Sequence, residues 1–308
     1  MRYLITGGAG FVGSALANRL LATGHEVVVL DDLSTGDQSR LQPEVAFTLG
    51  NISDIPKLWT LLQGVHCVYH VAARVSVQES VLYPFDYNAV NVGGTVSVLE
   101  AVRDAGVKRI VFTSSGAVYG EQPSQPLHER MPPDPRSPYA VSKLASEYYV
   151  RTTGILWGIE TVSLRIFNAY GPGQQLPTAH PPVVPAFLRQ MLKGASIVIY
   201  GDGKQTRDYV YIDDVVDALV AASSAPDVDR RVINVGSGVE TSVNELIEKI
   251  SVVLGNHSSP LNMPARNSSV TRMCAELTLA RQTLGFEPHV SLDDGLARTI
   301  AQDKRFSK

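Results

Sequence analysis

A glycine-rich segment near the N-terminus, Thr6-Gly7-Gly8-Ala9-Gly10-Phe11-Val12-Gly13, constrains the fold more than any other feature of this sequence. Its glycines at 7, 10 and 13 lie between an apolar run at 3–6 and a helix-period stretch at 12–22. Glycine permits positive φ, lets the backbone approach a pyrophosphate and lets a helix pack closely on a strand. The helix N-terminus then offers free N–H groups and partial positive charge to phosphates. The segment predicts the first turn of a dinucleotide-binding fold, although a purely structural turn would have the same pattern.

The first half of the chain alternates short apolar runs with longer helix-period stretches. Further apolar runs occur at 26–30, 67–71 and 109–112, and a long helical pattern covers 86–105. Strands that are apolar on both faces are typical of a parallel sheet covered by helices on each side. Because the connections between such strands are almost always right-handed, we expect an α/β protein with a doubly wound parallel sheet of the Rossmann type.

Two proline-rich segments mark the domain organisation. The first, at 123–138, predicts an ordered loop that leads into a helix at 139–153, and the second, at 171–185, leaves the sheet. Strands at 208–212 and 232–235, with a helix at 213–223 between them, are expected to return the chain to the sheet. We therefore predict a dinucleotide-binding domain at 1–170 plus about 205–238. A smaller, discontinuous α/β lobe at about 171–204 plus 239–308 would bind the substrate.

Composition excludes several classes of protein. Hydrophobic residues make up 44% of the chain, enough for a large core, and 27 basic against 30 acidic residues leave no basic excess for nucleic acid. No run of 18 apolar residues is present, so we expect no membrane partner. Cys67 and Cys274 are interpreted as free thiols of a cytoplasmic protein, and the scattered histidines predict no metal site. His70 is interpreted as structural.

Two acids end the second predicted strand, Asp31 and Asp32. An acid at this place in a dinucleotide-binding fold accepts hydrogen bonds from the adenosine ribose hydroxyls. A carboxylate would also repel a 2′-phosphate, and no arginine follows within five residues. The pair therefore favours NAD over NADP, the alternative being two acids in an exposed loop.

A serine, a tyrosine and a lysine form the candidate catalytic group. Tyr139 and Lys143 are four residues apart and share one helical face. A phenol titrates near pH 10, and a neighbouring ammonium is expected to favour the phenolate and lower that pKa. Ser115 ends a predicted strand at the carboxyl edge of the sheet, where ligands of such sheets bind. A tyrosine and lysine at this spacing are common by chance, but the three together after a dinucleotide turn indicate catalysis.

With these residues in place, the chain resembles the extended short-chain dehydrogenase/reductase family over nearly its whole length. Within that family it is most similar to the nucleotide-sugar 4-epimerases acting on UDP-glucose or UDP-N-acetylglucosamine. The matching segments are TGGAGFVG at 6–13, DDLSTG at 31–36, HVAA at 70–73, FTSSGAVYG at 112–120, YAVSK at 139–143, LRIFNAYGP at 164–172 and GDGKQTRDYVYIDDVVDA at 201–218.

The resemblance assigns expected roles to individual positions. The motifs and the resemblance together place NAD against Gly7, Gly10, Phe11, Val12, Gly13, Asp31, Asp32, Leu33, Ser34, Thr35, Gly36, Asn51, Ile52, Val71, Ala72, Ala73, Tyr139, Lys143 and Ile166. The resemblance implies catalysis by Ser115, Tyr139 and Lys143. It implies that the nucleotide sugar contacts Ser115, Tyr139, Asn168, Val184, Phe187, Tyr200, Arg207, Arg266 and Met273. Relatives pair the helices at 86–105 and 139–153 in a dimer, so a homodimer is expected.

The implied reaction is NAD-dependent 4-epimerisation of a UDP-hexose through a 4-keto sugar. Dehydratases and decarboxylases of the family carry acids where this chain has Gly116 and Ala117, which favours epimerisation over elimination. A 4,6-dehydratase, a UDP-glucuronate epimerase or decarboxylase, and a non-catalytic binding protein remain the alternatives. The resemblance places Met273 where relatives discriminate N-acetyl sugars, the alternative being a side chain that only fills the core. The stretch beginning at Arg266 departs from the usual Arg-x-Gly-Asp, which leaves the nucleotide open.

Overall fold

The computed structural model describes residues 1–256, 260–264 and 270–307. Its strands are β1 (Arg2–Thr6), β2 (Glu26–Asp31), β3 (Ala46–Leu49), β4 (Cys67–His70), β5 (Arg109–Ser115), β6 (Glu160–Ile166), β7 (Asn168–Tyr170), β8 (Val198–Tyr200), β9 (Thr206–Tyr211), β10 (Arg231–Val235), β11 (Glu240–Ser242) and β12 (Leu261–Met263). Its α-helices are α1 (Phe11–Ala22), α2 (Ile55–Leu61), α3 (Val77–Leu82), α4 (Pro84–Tyr87), α5 (Gly94–Ala105), α6 (Pro138–Trp157), α7 (Val183–Leu192), α8 (Ile212–Ser224), α9 (Val243–Leu254), α10 (Thr278–Leu284) and α11 (Leu292–Gln302). A π-helical turn, Asn88–Gly93, joins α4 to α5 within the predicted 86–105 helix.

A seven-stranded sheet forms the centre of the molecule, in the order β10-β6-β5-β4-β1-β2-β3. Every neighbouring pair in it is parallel. The strand order reverses at β1, whose last residue Thr6 is paired with Leu30 on one side and His70 on the other. Ligands of doubly wound sheets bind beyond the carboxyl ends of the strands at such a reversal. The predicted fold class is confirmed, and the glycine turn lies at that position.

Alternation of side chains along the strands divides the core into two layers. In β1, Tyr3 and Ile5 pack into the layer that contains α1 and α8, whereas Leu4 packs into the layer that contains α2 and α5. All three side chains are almost fully buried. A strand covered on both faces has no polar face, which is why these segments read as continuous apolar runs in the sequence.

Two smaller sheets are formed by strands that follow β6 in the sequence. Its three-stranded sheet has the order β11-β9-β7, and a separate parallel pair joins β8 to β12. The prediction that the strand near 208–212 returns to the main sheet is wrong, because β9 pairs with β7 and β11. The strand predicted at 232–235 does return, as β10 beside β6. The proposed division into two domains remains a prediction.

The helix that carries the tyrosine and lysine has strong signals at both ends. The Ser137 hydroxyl accepts a hydrogen bond from the Ala140 amide at 3.1 Å, and Pro138 occupies the first turn. Gly158 ends the helix in a left-handed conformation, with φ of 69°. Capping by serine, proline at the first position and glycine after the last are the usual helix boundaries. They fix Tyr139 in the first turn of α6 and Lys143 one turn later.

Both cysteines, Cys67 and Cys274, are free and buried. Burial raises the pKa of each thiol to about 12, so both remain protonated and weakly nucleophilic near neutral pH. In the part of the chain that the structure describes, no helix is long and apolar enough to cross a membrane.

Candidate active site

The glycine turn between β1 and α1 forms a close-fitting cradle. Gly7 has a φ of +69°, and a Cβ added there would lie 2.6 Å from the Cα of Ala72, two residues after β4. A Cβ added to Gly13 would lie 2.2 Å from the Gly7 carbonyl oxygen. Any side chain at either position would therefore force the backbone apart. Because Gly7 and Gly13 have no side chains, the turn keeps β1, α1 and the segment after β4 in close contact.

The first turn of α1 has the features of an anion-binding site. Gly10 precedes the helix without a side-chain cap, and the turn contains no acidic residue. The first amides of a helix have no partner within the helix and carry partial positive charge. A diphosphate satisfies both requirements, as in other dinucleotide-binding turns. The predicted contact residues Gly10, Phe11, Val12 and Gly13 line this turn and fit a dinucleotide.

The two acids after β2 are held in different ways. Asp31 is 8% exposed, and its carboxylate accepts hydrogen bonds from the amides of Ala9 at 2.9 Å and Leu33 at 2.8 Å. Asp32 accepts hydrogen bonds from the Ser34 amide at 3.0 Å and the Asn51 side-chain amide at 3.1 Å. These bonds bring the segments at 31–36 and 51–52 together at one edge of the sheet. Each carboxylate oxygen retains a lone pair that could accept a ribose hydroxyl.

The segment after β4 lies against the glycine turn, and His70, the last residue of β4, precedes it. Its Nδ1 lies 2.7 Å from the Thr6 hydroxyl, and its Nε2 lies 2.9 Å from the Thr95 hydroxyl. Burial lowers the pKa of His70 to about 3, so the ring is neutral near pH 7. Both nitrogens have partners within the protein, which agrees with the structural interpretation of this histidine. Val71, Ala72 and Ala73 follow directly at the sheet edge.

The structure brings Ser115 and Tyr139 together. Ser115 is the last residue of β5, and its side chain accepts a hydrogen bond from the Ala117 amide at 3.2 Å. Tyr139, in the first turn of α6, is 8% exposed. Burial raises the pKa of Tyr139, and a hydrogen bond with the Ser115 side chain opposes that rise. A phenol next to a serine hydroxyl can exchange a proton with a substrate hydroxyl held between them.

Lys143 occupies a more buried position than the sequence suggested. Its side chain is 3% exposed, and its Nζ lies 4.5 Å from the centre of the Phe112 ring. Burial lowers the pKa of Lys143 to about 7. We expected Lys143 to lower the Tyr139 pKa. Within the protein alone, only burial and the Ser115 side chain shift the Tyr139 pKa among the described residues, so this expectation is not met. The physical reason is that a buried ammonium is itself only partly charged near neutral pH.

Sequence reasoning missed a buried asparagine in the π-helical turn. Asn91 is 2% exposed, and its side-chain amide donates to the Ser142 hydroxyl at 2.9 Å. Ser142 donates in turn to the Tyr139 carbonyl at 2.8 Å. These bonds tie the first turn of α6 to the neighbouring helix. A polar residue inside the apolar pattern of 86–105 was the available signal.

A buried ion pair behind the lysine was missed as well. Glu147 and Arg165 have side chains 4% and 5% exposed, and two parallel hydrogen bonds of 2.9 and 2.8 Å join them. The Ser114 hydroxyl also donates to Glu147. Glu147 lies four residues after Lys143 in the sequence, so the same spacing that pairs Tyr139 with Lys143 could have identified it.

The residues expected to bind substrate fall into three groups. Asn168 in β7 is paired in register with Tyr209, two residues after Arg207 in β9, so both lie on the three-stranded sheet. The Val184 and Phe187 side chains, in α7, are 2% and 7% exposed and offer a ligand little surface. The third group is Tyr200 at the end of β8, which is 42% exposed. Arg266 lies outside the described residues.

Met273 lies beside Gly116, at the end of the strand that carries Ser115. A Cβ added to Gly116 would lie 3.2 Å from the Met273 methyl carbon and 3.2 Å from the Phe167 ring. This is tighter than an ordinary contact, so the corner has no room for a larger residue at 116 unless a neighbour moves. Elimination enzymes of the family carry an acid at this place, and here its Cβ would lie close to both side chains.

The parallel sheet and the glycine turn at its strand reversal define a dinucleotide-binding α/β protein. Residues 3–236 match the model of the NAD dependent epimerase/dehydratase family, so the chain belongs to that family, and the predictions of family and of NAD are confirmed. A UDP-glucose 4-epimerase of Mycolicibacterium smegmatis is 42% identical over 307 residues, covering 97% of each chain.

Two solved structures are similar along their whole length. The UDP-glucose 4-epimerase of Thermotoga maritima, with UDP-glucose, has a TM-score of 0.93 at 37% identity, covering 97% of each chain. The UDP-N-acetylglucosamine 4-epimerase of Methanobrevibacter ruminantium, in complex with UDP-N-acetylmuramic acid, has a TM-score of 0.92 at 32% identity, covering 97% of this chain and 96% of that one. These relatives support an epimerase of nucleotide sugars.

Proposed function

We propose that this protein catalyses the 4-epimerisation of a UDP-hexose, with UDP-glucose and UDP-galactose as the first candidates and their N-acetyl forms as the next. The observation that carries the proposal is the nearly buried Tyr139 phenol beside the Ser115 side chain at the carboxyl edge of the sheet, next to the glycine turn. A protein that only bound the nucleotide sugar would have no use for a buried phenol aligned with a serine. The two UDP-sugar epimerases among the similar structures support this choice of substrate.

In the proposed reaction, each residue acts on the sugar through an atom that the fold holds in place. The Tyr139 oxygen takes the proton of the C4 hydroxyl as the sugar is oxidised and returns it when the opposite face is reduced. Ser115 holds O4 in line with the phenol. NAD, when bound, supplies the hydride acceptor and a positive charge that favours the phenolate. Lys143 supports the phenolate to the extent that it is charged.

The nucleotide must stay bound while the oxidised hexose rotates to present its other face. Arg207 is half-buried, its Nη1 donates to the Thr206 carbonyl at 2.6 Å, and desolvation lowers its pKa without discharging it. A guanidinium whose position is fixed in this way suits a diphosphate, and Asn168 on the neighbouring strand can donate beside it. Firm contacts to the diphosphate and few to the sugar would allow the hexose to present either face.

The crowded corner at Gly116 favours epimerisation over elimination. A dehydratase needs an acid and a base near C5 and C6 of the sugar, and neither Gly116 nor Ala117 can transfer a proton. A Cβ at 116 would also lie 3.2 Å from Met273 and from Phe167, so one of these side chains would have to shift slightly to admit an acid. A UDP-glucuronate 4-epimerase, 30% identical over 316 residues, is among the relatives, so an acidic hexose is kept as one arm of the test.

The test is incubation of the purified protein with UDP-glucose, UDP-N-acetylglucosamine and UDP-glucuronate separately, without added NAD. Proton NMR of the anomeric and C4 signals would identify the product. We expect the galacto isomer from at least one of the three sugars. A 4-keto-6-deoxy product would show dehydration instead, and no turnover of any sugar would favour a binding protein or another nucleotide.

We further propose that two copies associate through α3, α4 and α6. Large apolar side chains are exposed on this surface, among them Phe85 at 80%, Leu156 at 72% and Val81 at 63%. The helices α3, α4 and α6 contact one another, and several large apolar side chains exposed on them fit a protein interface. A double substitution, Phe85→Glu with Leu156→Glu, is expected to convert a dimer into monomers in sedimentation velocity.

The matched control for the dimer is Val252→Glu on α9, since Val252 is 79% exposed but lies on another face. It should leave the sedimentation coefficient unchanged. A native protein that sediments as a monomer, or a dimer that persists in the double variant, would refute this interface.

A further inference from the structure

Glu147 joins three elements of the candidate active site. It lies on α6 one turn after Lys143, and its carboxylate receives two hydrogen bonds from Arg165 on β6. It also accepts a hydrogen bond from Ser114, the neighbour of Ser115 on β5. One buried carboxylate thus connects the helix that bears Tyr139 with the end of the strand that bears Ser115.

Lys143 needs a nearby anion because its surroundings disfavour charge. Burial lowers the pKa of Lys143, and the negative charge of Glu147 opposes that effect. Residues at i and i+4 of a helix have Cβ atoms about 6 Å apart, close enough for a strong interaction in a buried site. The carboxylate therefore keeps more of the lysine in its ammonium form.

The other ionisable groups around Lys143 cannot supply that negative charge. His70 on β4 is neutral, Tyr139 on the same helix is protonated near neutral pH, and Arg165 on β6 is positive. Phe112 on β5 presents only the face of its ring. Among residues 1–256, 260–264 and 270–307, Glu147 is the carboxylate that acts on Lys143.

The ion pair is not explained by stability alone. Replacing a buried pair by apolar side chains of similar volume is often neutral or stabilising, because desolvation offsets the attraction of the charges. Arg165 also has one buried nitrogen, Nη1, that has no hydrogen-bond partner among the residues that the structure describes. An imperfectly satisfied pair next to the candidate catalytic lysine suggests a role in the site.

We propose that Glu147 is a positioning residue of the active site, which sustains the ammonium form of Lys143 and holds the ends of β5 and β6 against α6 through Ser114 and Arg165. The catalytic part of this inference rests on the proposed epimerase function. The electrostatic part concerns residues of this chain alone and can be measured without turnover.

The test measures the titration of Lys143 directly. The chain has eight lysines, so protein labelled with carbon-13 at lysine Cε gives a small set of NMR signals, and the signal lost in Lys143→Arg identifies the residue. In Glu147→Gln, we expect the Lys143 midpoint to fall by about one to two pH units, as for loss of a unit charge about 6 Å away at an effective dielectric constant of about 20. Ser114→Ala is the matched control, because it removes a hydrogen bond to the same carboxylate and keeps the charge.

Epimerase assays on the same proteins provide the second readout. In Glu147→Gln, the alkaline limb of the kcat profile should move to lower pH together with the Lys143 midpoint. One pH unit above the new midpoint, kcat of the variant should be about 10-fold lower than on its plateau at lower pH. KM should stay unchanged. If the native protein turns over no nucleotide sugar, the proposed function fails, whereas the NMR titration still tests the role of Glu147.

Three outcomes would overturn the proposal. The first is an unchanged Lys143 midpoint in Glu147→Gln, and the second is an equal shift in Ser114→Ala. If Glu147→Gln does not fold, the double variant Glu147→Gln with Arg165→Met replaces it, since that variant leaves no unpaired charge buried. Its Lys143 midpoint should also lie below that of the native protein. The third outcome is failure of both variants to fold, which would give Glu147 a purely structural role.

Discussion

Tyr139→Phe is expected to lower the epimerase kcat by about 10²–10⁴-fold, the range that a positioned acid–base group contributes. The substitution removes one oxygen and keeps the ring, whose edge-on contact with Tyr87 has a centroid distance of 6.5 Å. The protein should therefore fold normally and still retain its NAD. The measurement is turnover of the sugar identified by NMR, together with thermal unfolding and the NAD content of the purified variant.

Tyr149→Phe serves as the control for that experiment. Tyr149 lies on the same helix but is 47% exposed, so removing its hydroxyl should leave turnover unchanged. Activity that survives in Tyr139→Phe would show that this phenol does not carry the proton, and the catalytic assignment would have to be abandoned.

Gly13→Ala is expected to abolish dinucleotide retention and to lower the free energy of unfolding by about 1–3 kcal/mol, the usual cost of overpacking. The new Cβ would lie 2.2 Å from the Gly7 carbonyl oxygen and 2.6 Å from the Gly8 Cα. Both contacts are to backbone, so no side chain can rotate away. The turn must open, which moves the first amides of α1 away from the phosphates. Chemical denaturation gives the stability, and an enzymatic assay of released NAD gives the occupancy.

Gly24→Ala separates this steric effect from the general cost of losing a glycine. Gly24 has a φ of +82°, and no atom of the described residues lies within 4 Å of an added Cβ. The alanine should cost about 1–2 kcal/mol for the left-handed backbone and leave the NAD content unchanged. Normal NAD occupancy in Gly13→Ala would contradict the assignment of the turn as the dinucleotide site.

The features predicted correctly from the sequence are those that a short stretch of chain determines. The glycine spacing, the end of β2 at Asp31 and the four-residue spacing of Tyr139 and Lys143 are all local, so the fold and the candidate residues could be read directly. The partners of β9 could not be. Its neighbours β7 and β11 are three residues each and lie far away in the sequence, so their pairing leaves no periodic signal.

Burial accounts for the rest of what the sequence did not show. Glu147 reads as an ordinary charge on a helix surface, yet it is 4% exposed because β5 and β6 cover it. The effect of Lys143 on Tyr139 was predicted from spacing alone. Its own pKa of about 7 follows from the loss of solvent around it, which only the packed structure reveals.

The contact of Met273 and Phe167 with Gly116 has an evolutionary consequence. A side chain at 116 would place its Cβ 3.2 Å from each of these two residues, so its cost depends on whether either neighbour can shift. Substitutions at 116 and 273 are therefore coupled, and the order in which they arise matters. An acid at 116 is therefore expected to be accommodated most easily in a chain whose residue at 273 or 167 is smaller.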